Sequence, residues 1–334
     1  MPRPESPAKG TSTAGGDPRP AQEKTAGHKP GPPWKNGARP RVALLVKRTS
    51  WEVYIEKKDS RLTRLMRRND PAITRMRGSH EEHTKTVAEV ELALSRIGAD
   101  VENVGKGNGG FDASQFDLVI TVGGDGTLLK ASHSVLDTPI LAINSAPNHS
   151  VGFFCGARSG EAATAIRRAL RGSLKRAVLT RMKVTVNGEP VAARILNDAL
   201  LCHASPAATS RYILRWDDIE EEQKSSGFWI GPAAGSTAAQ RSAGGKVLPL
   251  ASKRLQLVVR EAYTPHGGRY RLSHALIAPG EKLTVRSKMH SGTIFFDGPE
   301  NAVQIGFGDI VEFCRAEESL TLLGISSRRK WGAR

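Results

Sequence analysis

The sequence predicts an α/β domain with a parallel sheet, followed by a mostly β domain, with the functional site in the cleft between them. Three observations predict it. The apolar run Phe116-Asp117-Leu118-Val119-Ile120 exits into a glycine-rich turn, Gly123-Gly124-Asp125-Gly126-Thr127, and a helical segment follows at once. Apolar strands and amphipathic helices alternate from residue 42 to residue 170. From Arg181 the apolar period changes to two, and an Asn187-Gly188 pair between alternating strands signals a hairpin.

In order along the chain, the first core strand spans 42–46, and residues 48–78 are basic, poorly periodic and interrupted by Pro71, which reads as a surface insertion close to substrate. Val87, Val90, Leu94 and Ile97 recur at spacings of three and four and mark a helix over 83–97 that ends at Gly98. A strand at 101–104, the motif strand at 117–122, a helix at 128–136 and a strand at 140–143 complete a βαβαβ unit, Rossmann-like in class. A helix over 160–170 closes this first domain, assigned to residues 41–178. The second domain, 179–315, opens with strands 182–186 and 191–195. Short strands continue at 212–216, 228–230, 255–259, 282–286, 291–296 and 310–314. The remaining segment, 316–334, is expected to return to the first domain and to end in a basic tail.

Hydrophobic residues make up 39% of the chain and charged residues 25%, values of a water-soluble globular protein. No apolar run reaches the roughly 18–20 residues that cross a bilayer, so no membrane association is expected. The net charge of +16 suits anionic small substrates as well as nucleic acid. Part of it resides in residues 1–40, rich in Pro, Gly, Ser, Thr, Lys and Arg, which read as a disordered basic arm with neither a secretory core nor an amphipathic presequence. A solvated arm is preferred to a nucleic-acid arm. Cys155, Cys202 and Cys314 are odd in number and lack metal-ligand spacing, which fits a reducing, cytoplasmic setting.

Glycines at the exit of a buried strand let the backbone approach a ligand, and the N-terminus of the following helix offers unpaired N–H groups to a phosphate. A carboxylate beside phosphates is repelled by them, so Asp125 implies a task such as taking a hydroxyl proton or holding a metal ion. A bare Gly-Asp-Gly is more often only a tight turn. At the end of a strand and the start of a helix, the functional reading is preferred. The motif is similar to the signature of the superfamily that joins NAD kinases, diacylglycerol and sphingoid lipid kinases and, more distantly, phosphofructokinases.

Further residues narrow the resemblance. Asn197-Asp198 follows the first hairpin, and Gly235-Ser236-Thr237-Ala238-Ala239-Gln240-Arg241-Ser242-Ala243-Gly244-Gly245 resembles the Gly-Thr-Thr-Ala-Tyr-x-x-Ser-x-Gly-Gly region of NAD kinases. The order of features over roughly residues 41–325 is also that of the family. Within it, His83-Thr84-Lys85, the turn Asn144-Ser145-Ala146-Pro147-Asn148-His149-Ser150 and Gln223-Lys224-Ser225-Ser226-Gly227 look nearest to the branch containing animal mitochondrial NAD kinases.

The resemblance implies transfer of a phosphoryl group from ATP or polyphosphate, with Mg²⁺ on the donor phosphates, to the adenosine 2′-hydroxyl of NAD or NADH, giving NADP or NADPH. Asp125 matches the general base, and Gly123, Gly124, Gly126 and Thr127 match the loop approaching the donor. Asn144 belongs to the Asn-centred turn of the ligand site, and Phe153 matches an aromatic packed on adenine. Asn197 and Asp198 match the pair that hydrogen-bonds NAD, and Thr237, Ala238 and Ser242 match the pocket around it. No residue is assigned as a resident metal ligand. Arg48, Lys85 and Lys130 are candidate cations near the cleft. Family members imply a homodimer or homotetramer assembled through the β domain. The chain departs from the family at Ala239, where a tyrosine is usual, and at Ser226, where many bacterial members carry an aspartate facing the nicotinamide. Its Asn144 turn is also longer. The alternatives are a lipid or sphingoid kinase using the same turn and a non-catalytic NAD- or nucleic-acid-binding regulator.

Overall fold

The structure, a computed structural model, describes residues 39–327 apart from 59, 69, 107–109 and 265–266. Most of the basic arm expected over 1–40, and the tail from 328 onward, lie outside the described residues. The first strand, β1 (Arg41–Val46), is followed by two short helices, α1 (Ser50–Glu56) and α2 (Ser60–Arg67), and then by α3 (Pro71–Ile97), 27 residues long. The expected helix over 83–97 is therefore only the second half of α3. Pro71, read as an interruption, opens the helix: it sits in the first turn, where the missing N–H is no loss, behind Asp70, whose side chain caps Ala72 N. Gly98, with φ +71°, ends it as expected.

Next come β2 (Asp100–Asn103), β3 (Leu118–Gly123), α4 (Asp125–Ser132), β4 (Ile140–Asn144), the two-residue β5 (Ala157–Arg158), α5 (Ala162–Leu170) and β6 (Arg176–Leu179). The helix expected over 128–136 starts earlier. Gly124 is its N-cap and Asp125 its first residue, where a negative charge opposes the positive end of the helix dipole. β1, β2, β3 and β4 pair in parallel; β1, β3 and β4 are covered on both faces, as central parallel strands require, whereas the edge strand β2 is exposed. Leu118, Ile120 and Val122 pack with Val90 and Leu94 of α3 and Ile166 of α5. Val119 faces the other way, toward Leu128 and Ala131 of α4.

The β half starts with β7 (Met182–Val186) and β8 (Glu189–Ile195), joined at Asn187 and Gly188 with φ +52° and +87°, a pair of left-handed residues that an Asn-Gly turn accepts without strain. Then follow β9 (Ala199–His203), β10 (Ser210–Trp216), β11 (Ile219–Ser225), β12 (Phe228–Pro232), a 3₁₀ turn over Ala233–Thr237, α6 (Ala239–Ser242) and β13 (Leu255–Val259). The half ends with β14 (His274–Ile277), β15 (Lys282–Ser287), β16 (Gly292–Phe296), β17 (Asn301–Ile305) and β18 (Ile310–Arg315). Two six-stranded antiparallel sheets result, β11-β10-β15-β18-β7-β8 and β14-β13-β12-β9-β16-β17. They enclose one core in which Tyr212 and Phe313 of the first sheet meet Phe228 of the second edge to face.

The chain then returns. β19 (Leu320–Leu323) enters the first sheet between β4 and β6, parallel to the former and antiparallel to the latter, giving the order β2-β1-β3-β4-β19-β6. Arg181, at the start of β7 and without solvent exposure, secures the α4 side of this junction. Its Nη1 donates to the carbonyls of Ser132 and Val135 at 3.0 and 2.7 Å, and its Nη2 to those of Leu136 and Ser319 at 3.0 and 2.8 Å. A guanidinium thus caps the carbonyl end of the helix that carries Asp125. Burial pulls its pKa down to about 10, so it stays charged at neutral pH.

Candidate active site

The glycine turn lies at the carboxyl ends of β1, β3 and β4, where open α/β sheets bind ligands. Gly123 ends β3 opposite Asn144 of β4, and its carbonyl accepts from Ser145 N. A Cβ on Gly123 would lie 2.1 Å from Thr127 Oγ1 and 2.9 Å from the Cβ of Lys47, so side-chain packing requires glycine there. Gly124 is similarly close to Ser150 Oγ, 2.8 Å from its would-be Cβ. Gly126 differs: it sits in the first turn of α4, is exposed, and a Cβ there would meet nothing within 4 Å. Among the described residues nothing demands a glycine at 126, in a helix where glycine is unfavourable.

The Asp125 carboxylate is fixed from the opposite side. Oδ2 accepts from Phe153 N at 2.9 Å and Oδ1 from Phe154 N at 2.8 Å. Each oxygen keeps a further lone pair for a ligand hydroxyl. The turn that supplies these donors is held by Asn144, whose Nδ2 donates to Ser150 O at 2.9 Å and whose Oδ1 accepts from Ala146 N at 3.3 Å. Asn144 is buried, so its side chain organises the turn that aims Phe153 and Phe154 at Asp125. Phe154 belongs to the core, and half-buried Phe153 packs on it edge to face at 4.9 Å. The helix α3 reaches the same turn: buried His83 places Nδ1 2.8 Å from Ser145 Oγ. Burial, with Lys47 nearby, pushes this imidazole below its ordinary pKa although Glu52 opposes the shift.

Among the cations considered from sequence, Arg48 pairs with Glu56, and Lys85 and Lys130 are exposed on their helices. Lys47, not singled out beforehand, sets its Cβ against Gly123 of the glycine turn. Among the described residues it has no ion-pair partner. The only sequence signal for it is its place directly after the first core strand.

A second group comes from the β half. Asn197-Asp198 links β8 to β9, and the Asn197 carbonyl lies against Gly235, where a Cβ would be 1.7 Å from that oxygen. This close approach brings the Asn-Asp pair and the Gly235–Gly245 segment together. Thr237 is half-buried, Ala238 and Ser242 are exposed, and the hydroxyls of Thr237 and Ser242 make no hydrogen bond among the described residues. The Ser236 hydroxyl, in contrast, is used internally, donating to Ala233 O and accepting from Leu248 N. Asn197 Nδ2 donates to Asp198 Oδ2 at 3.3 Å. Burial of Asp198, and then the neighbouring Asp297 carboxylate, push its pKa up to about 7. Leu196 and Ala234 from this group share a core with Leu128 of α4 and with Phe153. Both groups therefore rest on one packed layer.

A strand, an open glycine turn and a helix that presents a fixed carboxylate define a phosphotransferase directed at a hydroxyl. Residues 39–174 match the family described as ATP-NAD kinase N-terminal domain. A probable NADH kinase of Oryza sativa subsp. japonica is 33% identical over 252 residues, which are 69% of this chain and 78% of that protein. An NADH kinase of Arabidopsis thaliana is 30% identical over 253 residues, 69% and 80% of the two chains. The crystal structure of an NAD kinase from Archaeoglobus fulgidus in complex with ATP superposes with a TM-score of 0.62 at 20% identity, covering 86% of this chain and 95% of that one. The chain belongs to the NAD kinase family. That membership sets aside the lipid kinase and the non-catalytic regulator that the turn alone admitted.

Proposed function

We propose that this kinase transfers the γ-phosphoryl group of ATP to the adenosine 2′-hydroxyl of NAD or NADH. The observation that carries the mechanism is the carboxylate of Asp125, held by two backbone N–H groups at the mouth of an open glycine turn. The 2′-oxygen forms a bond to the γ-phosphorus, the bond from that phosphorus to the β,γ-bridging oxygen breaks, and the hydroxyl proton passes to Asp125. ADP leaves, or a shortened chain where polyphosphate is the donor. Gly123, Gly124, Gly126 and Thr127 place backbone against the donor phosphates, with Lys47 beside them. Asn197, Asp198, Thr237, Ala238 and Ser242 hold the dinucleotide, and Phe153 packs on its adenine. Asn144 acts by holding the turn.

Among the described residues no group of three or more acidic, histidine or cysteine side chains could hold a metal ion. This donor set fits Mg²⁺ bound mainly by the donor's own phosphates, with at most one lone pair of Asp125 contributed by the protein. When bound, the ion neutralises charge on the transferring group.

A second reading, preference for NADH, is favoured by a cationic neighbour of Ser226. Arg260 donates from Nη1 to Ser226 O at 3.4 Å, at the position where the family resemblance implies an aspartate in many bacterial members. On this reading the guanidinium, its charge partly offset by Glu261 at 3.7 Å from Nη2, disfavours the positively charged nicotinamide of NAD relative to the neutral ring of NADH. Incubation with Mg-ATP and either NAD or NADH is expected to yield NADP or NADPH, faster with NADH. Absence of both products, with protein shown to be folded, overturns the assignment, and polyphosphate in place of ATP identifies the donor.

Replacing Gly126 by Ala is expected to stabilise α4 by about 0.5–1 kcal/mol and to lower kcat/KM for ATP by about 100-fold. Full activity with the added methyl group would show that no ligand approaches that backbone.

The division proposed from sequence, 41–178, 179–315 and a returning C-terminal segment, is supported by the strand order of the three sheets. A place near the animal mitochondrial branch, a cytoplasmic setting and a homodimeric or homotetrameric assembly are proposals that rest on the motifs, the scattered cysteines and the family resemblance respectively. No helix among the described residues is long and apolar enough to cross a membrane.

A further inference from the structure

Asp297 follows β16 in a turn that hydrogen-bonds the backbone of the Asn-Asp pair. Its side chain is fully buried. Oδ2 accepts from Leu196 N at 2.9 Å, and Oδ1 accepts from Asn197 N at 2.6 Å and Asp198 N at 3.2 Å. Three successive N–H groups converging on one anion form a nest, the arrangement proteins use to bind phosphates, and here the protein fills it with its own carboxylate. Asp297 N returns a bond to Asp198 O at 2.9 Å. Asp297 takes φ +50°, the left-handed conformation that an Asp-Gly hairpin turn between β16 and β17 accepts.

The same carboxylate reaches the other half of the site. His133 Nε2 lies 3.0 Å from Asp297 Oδ2, close enough for an ion pair although off the hydrogen-bond axis. His133 is the C-cap of α4, the helix that begins at Asp125, and its carbonyl accepts from Arg194 Nη1 of β8 at 2.9 Å. One buried anion therefore joins the backbone of Asn197-Asp198 to the far end of the helix bearing the proposed base.

We infer that Asp297 is a positioning residue for the dinucleotide: it sets the orientation of Asn197 and Asp198 and ties that pair to α4. The inference rests on the reading of Asn197-Asp198 as a dinucleotide-binding pair. Asp297 touches no substrate itself. The charged groups about it are Asp198 from the β8–β9 link and His133 from the end of α4; Arg194 of β8, which bonds the His133 carbonyl, lies 3.4 Å from Glu318. An ionised Asp198 accepts from ribose hydroxyls with both oxygens, so the KM for NAD falls as pH rises through the Asp198 titration near 7. Removing the Asp297 charge takes away a like-charged neighbour and moves that titration to lower pH.

Steady-state kinetics of Asp297→Asn, from pH 5.5 to 8.5 in about half-unit steps across the window set by the Asp198 value, test this directly. The amide sets an NH₂ against one N–H of the nest, and the KM for NAD is expected to rise about tenfold or more while the KM for ATP stays within about twofold. The pH at which the NAD KM changes is expected to fall. Asp297→Glu keeps the buried charge but displaces it by one methylene, and it decides the matter where Asp297→Asn does not fold, with a raised NAD KM expected again. Unchanged NAD KM values, or NAD and ATP KM values rising in parallel, overturn the inference. Asn197→Ala is the control for the underlying reading. If it leaves the NAD KM unchanged, the pair does not bind the dinucleotide, an outcome distinct from failure of Asp297 to position it.

Discussion

Asp125→Asn is expected to lower kcat by about 10²–10⁴-fold, the range a positioned general base contributes, while NAD and ATP bind within about tenfold of the wild-type protein. The geometry adds a second expectation. The carboxylate accepts two backbone N–H groups, one on each oxygen. An asparagine has only one acceptor, so its NH₂ group must face the N–H of Phe153 or Phe154. That mismatch is expected to cost about 1–3 kcal/mol of stability, measured by thermal or urea unfolding. Calorimetric titration of NAD separates the two effects: near-normal affinity with turnover lost assigns the chemistry to Asp125. Turnover above a tenth of wild type would remove Asp125 from the base role. Lost affinity matching the lost turnover would mean that its work is to hold the Phe153 turn.

Replacing Arg181 by Ala is expected to produce the largest loss of stability, about 3–5 kcal/mol, because it leaves buried carbonyl groups without donors and a cavity where the side chain stood. Arg181→Met, which restores volume but no donor, is expected to recover only part of it. The loss is read from urea denaturation, and a loss under about 1 kcal/mol would show that water replaces the guanidinium at these carbonyls. Since those carbonyls close the helix that starts at Asp125, either variant is also expected to lower kcat more than the KM for either substrate.

The two-layered architecture was legible because its signals are local. The period-three-and-four apolar stripe of α3, the Gly98 stop and the Asn187-Gly188 hairpin each depend on residues a few positions apart. Segments whose structure is dictated from a distance were missed. β11, Ile219–Ser225, carries Glu220, Glu221 and Glu222 in succession and is a strand because β10 offers a full ladder along an exposed edge. β6 and β19 are four residues each and are strands only because they complete a sheet begun at residue 41. The start of α3 was misjudged because a proline is a breaker or an opener according to whether a cap precedes it, and Asp70 is that cap.

The site divides in the same way. Gly123 to Thr127, Asn197-Asp198 and the Gly235 segment stand in short motifs, so they were readable. Lys47, His133 and Asp297 carry no motif. An Asp-Gly pair after an apolar strand, as at Asp297-Gly298, reads as an ordinary hairpin turn, and its function becomes visible only when the fold sets it against Asn197. Arg181 reads as one more basic residue among many until burial shows that its charge is enclosed.

The position of β19 has a consequence for how the chain matures. Leu322 pairs with Ile140, so the sheet that bears the glycine turn lacks an interior strand until residues past 320 have left the ribosome. The intervening β sandwich has its own core, and the chain must traverse it before the last strand can pair with β4. Completion of the sheet is therefore expected to be a late step of folding, and a chain shortened before residue 320 lacks the strand that lies between β4 and β6.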